Sequence, residues 1–344
     1  VTAFDAFVRS APLALVGSVS ARVHELSRVD EVLRRPMPVS RRIGVVQARG
    51  GAGASTTAGY VAALLARRRP GLVLGVDASR GTRDMLWHAG VPAGAGATPS
   101  SRRRTARRSA DAVDGLPRTP SGLWALDLDP RDESRAVAPA AAWFDEVTPI
   151  SRFFELVVTD WGVRDWRADL GEVVSASRTV CVVARADRHA AEEAAALVPA
   201  IKDHPDRPDV VIALVDVGGA GRAAPTTVGD DPTVPVVRIP HDPRRGSSRP
   251  VGSAALGTRT RIAYARLAAA LMPDGAAVVG APGSGRPGGG PTRASGARPD
   301  LGAAPDADRS AGSERRSARR AADADAAADP AAAPVAPRRQ EGRR

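Results

Sequence analysis

Seven short aliphatic runs alternate with alanine-rich helical stretches between residues 43 and 272, and that alternation leaves few folds open. The runs are Ile43–Gln47, Leu72–Asp77, Leu123–Leu128, Leu156–Asp160, Thr179–Ala184, Val210–Val215 and Val234–Ile239. They are almost continuously aliphatic, the pattern of parallel strands covered on both faces. Helices are predicted over Ser55–Arg67, Ala138–Phe153, Trp166–Ala176, Arg188–Lys202 and Thr258–Met272. Strand and helix in repetition give βαβ units, hence a three-layer α/β domain with a mainly parallel, about seven-stranded sheet. Aromatic residues are only 3% of the chain, so the core must be built from Val, Leu, Ile and Ala.

The flanks read differently. Residues 1–42 carry helical spacing at Val23, Leu26, Val29 and Leu33 and then meet Pro36 and Pro38, so a lead-in helix and linker are expected. Within the domain, residues 91–120 mix Gly, Pro and Ser with Arg102, Arg103, Arg104, Arg107 and Arg108, without apolar periodicity. A basic mobile loop is the simplest account. Residues 273–344 have scarcely a large apolar side chain and are expected to be a disordered tail, because too little surface can be buried to offset the entropy of ordering. The domain proper is therefore 43–272.

Charge narrows the functional classes less than its size suggests. The net charge is +11, but much of it falls in the segments read as loop and tail, where a solvated charge run is the ordinary outcome. Lys202 is the only lysine, which points to a coding bias, so an arginine in place of a lysine says little at any one site. The single cysteine, Cys181, lies in an apolar run and has no partner for an intrachain disulfide, which suits a reducing cytoplasm. No apolar stretch approaches the roughly 20 residues of a transmembrane helix.

The chemistry concentrates in Ile43 to Ala66, where a strand runs into Arg49-Gly50-Gly51-Ala52-Gly53-Ala54-Ser55-Thr56 and an aliphatic helix follows at once. Glycines at such a junction let backbone N–H groups turn inward around a phosphate, and the helix N-terminus adds its partial positive charge. A tight turn without a ligand would use the same glycines. The ordered context tips the balance: the stretch resembles, without a gap, the deviant Walker A motif KGGxGKTT of the ParA/MinD family of P-loop ATPases. Three later stretches follow in the family's order. LVLGVDASR, residues 72–80, is similar to its second strand and acidic switch. FELVVTDWG, residues 154–162, is similar to Walker B. Ile239-Pro240-His241-Asp242-Pro243 is similar to a late IPxD turn that borders the adenine.

The resemblance covers about 230 residues and implies a ligand set. ATP or ADP would be cradled by residues 49 to 56, with Pro240 and Asp242 at the base, and Mg²⁺ by Ser55, Asp77 and Asp160. It also exposes departures. Arg49 stands where the family has the lysine that reaches across a nucleotide-bound dimer, and Ala54 where it has the lysine on the β- and γ-phosphates. Ser79 stands in place of the acid that orients the attacking water, and Asp216 where a strand commonly ends in Asn. P-loop catalysis is positioning plus charge stabilisation, and losing one such contributor costs on the order of 3 kcal/mol, a hundredfold or more in rate. Coding bias accounts for Lys to Arg but not for Lys to Ala.

The expectation is thus a ParA/MinD-like protein with weak or absent nucleotide binding and little hydrolysis, a regulator or scaffold in positioning, partitioning or secretion-related machinery. Its rivals are an active, dimerising ATP switch and an electrostatic DNA binder using Arg102 to Arg108 and the tail. An unidentified protein partner and a homodimer both follow from the resemblance, as does a cytoplasmic protein recruited by a partner to membrane or nucleoid. The family's membrane-seeking C-terminal amphipathic helix has no counterpart here. Other candidates read as bland: Asp127, Asp129, Asp132 and Glu133 as a solvated turn, His88, His189, His204 and His241 as lacking zinc-ligand spacing, and Trp143, Trp161 and Trp166 as core.

Overall fold

In the computed structural model every aliphatic run is a strand. The described residues are 20–275, apart from 80, 82, 93–94, 129–136, 220–230, 232, 248–251 and 274. The strands are β1 (Arg41–Gln47), β2 (Val73–Asp77), β3 (Trp124–Asp127), β4 (Leu156–Val163), β5 (Thr179–Arg185), β6 (Asp209–Val215) and β7 (Val236–Ile239). They form one sheet in the order β3-β2-β4-β1-β5-β6-β7, and every pairing is parallel. The expected α/β architecture is the one found. The first 19 residues and the tail from 276 lie outside the described residues, as do Asp129, Asp132 and Glu133.

Helices cover both faces. They are α1 (residues 20–34), α2 (Ala54–Arg68), α3 (Met85–Ala89), α4 (Ser101–Arg104), α5 (Ser109–Ala112), α6 (Ala140–Glu146), α7 (Thr148–Ser151), α8 (Trp166–Ser175), α9 (Arg188–Lys202) and α10 (Thr258–Ala270). Because side chains alternate along a strand, each aliphatic run feeds two cores. In β5, Cys181 and Val183 join the core under α1, α2, α3 and α10, whereas Val180 and Val182 join the core under α6 to α9. Val29, Val32 and Leu33 bury α1 against the first of these, so the lead-in helix is part of the domain's packing. Trp143 and Trp161 are fully buried in the second, the core role expected of them.

Two predicted elements come out differently. The helix expected over Ala138–Phe153 breaks into α6 and α7, since Pro149 near the start of α7 has no N–H to continue the ladder. Where the sequence points to a loop at 91–120, α4 and α5 are short helical turns anchored by buried Arg103, Ala106, Ala112 and Leu116. Four anchors so spaced leave no periodicity to read.

Candidate functional site

The site is built where β1 ends. Gln47 is its last residue, and the Gln47 carbonyl accepts a hydrogen bond from Trp166 Nε1 at 2.8 Å, which braces the strand end from α8. The chain then turns through Gly51 (φ 79°) and Gly53 (φ 86°), left-handed conformations that a side chain would strain. Gly53 is the N-cap of α2; no side chain caps the first turn and no acid lies in it. The leading N–H groups of a 15-residue helix are therefore left for an anion, with the positive end of the dipole behind them. Ala54 opens the helix and is only 1% exposed, and Ser55 and Thr56 follow half-buried.

Two carboxylates close the site from neighbouring strands. Asp77 on β2 pairs in register with Asp160 on β4, and Asp160 in turn sits beside Val45 of β1, just before the loop. Both are buried, Asp77 at 2% and Asp160 at 0% exposure. Asp77 Oδ1 accepts from Ser79 Oγ at 2.8 Å, and Asp160 Oδ1 accepts from Gly162 N at 3.1 Å. Among the described residues the buried Asp160 Oδ2 has no hydrogen-bond partner. Burial pushes both carboxyls above the ordinary carboxylate range; the charges of Asp160 and Asp84 add to this for Asp77, and the Ser79 bond opposes it. For Asp160 the nearby hydroxyls of Ser55 and Ser79 and the Gly162 N–H favour ionisation, yet burial outweighs them. Among the described residues neither carboxylate is ion-paired with a basic side chain.

Sequence comparison finds no match: no protein-family model and no curated protein resembles the chain closely enough to register. Solved structures do. The cell division ATPase MinD of Pyrococcus furiosus superposes with a TM-score of 0.53 at 18% identity, over 66% of this chain and 96% of that one. The septum site-determining protein MinD of Pyrococcus horikoshii, complexed with Mg-ADP, gives 0.51 at 17%, over 67% and 94%. A ParA family ATPase of Chlorobium tepidum gives 0.47 at 20%, over 67% and 98%. The chain has the fold of the ParA/MinD-type P-loop ATPases.

Within this ParA/MinD-type fold the cations near the loop are engaged elsewhere. The Arg49 guanidinium lies 2.5 Å from Glu193 on α9. Arg164, which no sequence motif marks, is buried just past β4; it donates to the carbonyls of Trp161 (3.0 Å), Ala138 (2.6 Å) and Ala78 (3.4 Å) and stacks over Trp161 at 4.9 Å. It thereby ties the chain after β2 to the end of β4. His88 is a second neighbour of the loop that the sequence does not reveal. Its Nε2 lies 3.0 Å from Thr56 Oγ1, and burial, with Arg83 nearby, lowers its pKa to about 4, so it is a neutral hydrogen-bonding group at pH 7. Gly59 permits this approach, because a Cβ there would lie 2.5 Å from the Met85 carbonyl and 2.7 Å from His88 Cβ. A helix-to-helix contact of this kind leaves no mark in the sequence beyond the glycine.

The remaining candidates are placed as follows. Asp242 accepts N–H bonds from Gly257 (2.8 Å) and Arg244 (3.1 Å). Burial opposes its ionisation, but these donors, with Thr260 and Arg244, hold its carboxyl below the usual range. Its side chain thus fastens the turn to the start of α10. The Pro240 and Asp216 carbonyls both accept from Arg245 Nη2, at 2.9 and 2.7 Å. In the basic segment, Arg103 donates to the carbonyls of Thr98 and Asp114, Arg104 pairs with buried Glu146, and Arg102 pairs with Asp114 at 3.3 Å. Three of the six arginines in 91–120 are thus hydrogen-bonded or ion-paired within the fold, and a fourth, Arg118, stacks over Trp124 at 5.5 Å. Among the described residues no group of three His, Cys, Asp or Glu side chains is arranged to hold a metal, and no helix is long and apolar enough to cross a membrane.

Proposed function

We propose that this chain is a nucleotide-binding-fold protein of the ParA/MinD type that binds ATP or ADP weakly and hydrolyses it slowly or not at all, and that it acts as a regulator or scaffold in positioning, partitioning or secretion-related machinery. The observation that carries this reading is Ala54: a buried methyl stands at the head of α2, beside two buried carboxylates that have no basic partner among the described residues. A nucleotide phosphate arriving there would meet backbone amides and two acids, without an ammonium. The donor set still suits Mg²⁺, since Ser55 is half-buried at the first turn and Asp160 Oδ2 lacks a partner. The MinD of Pyrococcus horikoshii holds Mg-ADP in the same fold. Bound Mg²⁺ would neutralise phosphate charge, and Asp77 and Asp160 would take their ionised forms behind it.

Ser79 supports the same reading. Its hydroxyl donates to Asp77 and is a poor substitute for an acid that orients water. The arginines of 91–120 lend little to a DNA-binding role, because Arg102, Arg103 and Arg104 are already paired within the fold and Arg118 stacks over Trp124. The test is calorimetric titration of the full chain with ATP and Mg²⁺, beside a phosphate-release assay. The unaltered chain is expected to bind weakly without turnover, and Ala54→Lys to tighten binding about a hundredfold. Steady turnover by the unaltered chain, lost on Ser55→Ala, overturns the proposal.

A further inference from the structure

The loop meets a second element on its outer side. A cleft of about 240 Å³ separates Ala48, Arg49 and Gly50 from Arg185 at the end of β5 and from His189 and Glu193 in the first half of α9. Arg49 reaches across it to Glu193 Oε1 at 2.5 Å. The two partners are unequal. Arg49 is 70% exposed, whereas Glu193 is 24% exposed and has His189 Nε2 at 3.3 Å, one helical turn away. The carboxylate is therefore held, and the guanidinium is the partner free to swing.

We infer that Glu193 is a specificity-determining residue: an anion at the loop captures Arg49 only by displacing this carboxylate, so the site favours polyphosphates over singly charged anions. The inference rests on the reading of the loop as a nucleotide site. An exposed ion pair contributes little, so exchange is easy for a stronger competitor. Coulomb attraction grows with ligand charge, and a terminal phosphate with nearly two charges outcompetes a carboxylate where a single charge only matches it. Once released, Glu193 still has His189 Nε2 within 3.3 Å and is partly open to solvent.

The experiment is titration of the full chain with Mg-ATP and, separately, with inorganic tripolyphosphate and acetate. The proteins are the unaltered chain, Glu193→Gln, Arg49→Ala and the double variant. Glu193→Gln is expected to tighten polyphosphate binding about two- to fivefold, and to raise the affinity for acetate relative to polyphosphate. Arg49→Ala weakens binding, and in its background Glu193→Gln changes nothing; outright loss of binding on Arg49→Ala, with a gain on Glu193→Gln, supports the inference equally. An equal effect of Glu193→Gln with and without Arg49 means action at a distance and overturns the inference, as does binding that Glu193→Gln leaves unmoved. Absence of binding by all four proteins removes the nucleotide-site reading and this inference together.

Discussion

The two ends of β4 solve the problem of buried charge in opposite ways. At the entry, Glu155 meets Arg69, whose side chain is fully buried; the guanidinium pairs with Glu155 and donates also to the carbonyls of Leu33 (2.9 Å) and Arg35 (2.6 Å). The second Glu155 oxygen accepts from Gly71 N at 3.1 Å. This cluster fastens the end of α2 and the end of α1 to the sheet. At the exit, Asp160 and Asp77 lie side by side with hydroxyl and amide donors but, among the described residues, no ion-paired cation. A buried ion without a counter-charge is costly, so the entry is arranged for stability and the exit is left electrostatically incomplete. The incomplete end is the one that adjoins the glycine-rich turn between β1 and α2.

That contrast can be broken at its stable end. Arg69→Met leaves Glu155 without its partner and should lower the free energy of unfolding by about 3 to 5 kcal/mol, read from urea denaturation. Adding Glu155→Gln should recover most of the loss. Equal loss in the double variant would mean that packing, not charge, holds this end.

At the exit, His88 tests whether the site tolerates a new charge. Its folded pKa is about 4, below the ordinary 6.5. A depressed histidine stabilises the fold fully above pH 6.5, and the contribution is lost as pH falls toward 4. The shift corresponds to on the order of 3 kcal/mol. Unfolding midpoints of the unaltered chain should therefore fall faster between pH 6.5 and 4.5 than those of His88→Asn; parallel curves would remove the claim that His88 is buried neutral.

The smallest expected effect has the opposite sign. Asp77 has a folded pKa above the ordinary value, so its contribution is present at low pH and lost as pH rises through the window between the two values. Asp77→Asn, which keeps an acceptor for Ser79, should then stabilise the chain at pH 7 by on the order of 1 kcal/mol. Destabilisation instead would place an unrecognised counter-charge beside the pair.

Much of the fold is legible from pattern. The seven strands and the helix Arg188–Lys202 are readable because aliphatic runs and amphipathic spacing are local properties. Pro149 is equally local, yet its neighbours on both sides carry helical periodicity, and that signal masks the break. The segment 91–120 reads as loop because Arg103, a residue type seldom buried, serves as one of its anchors. At the site, the loop and both acids are recognisable as ordered motifs, whereas Arg164, His88 and Glu193 carry no motif and act through contacts with distant elements.

The sequence by itself determined the alternation of strand and helix, the glycines that let the loop turn, and the absence of a lysine at position 54, since each is a matter of residue type along the chain. Only the tertiary structure decided that Asp77 and Asp160 stand in register, that Arg49 lies against Glu193, and that the arginines of 91–120 are largely engaged. Charges interact through space, and the sheet brings together side chains that the chain keeps more than 80 residues apart.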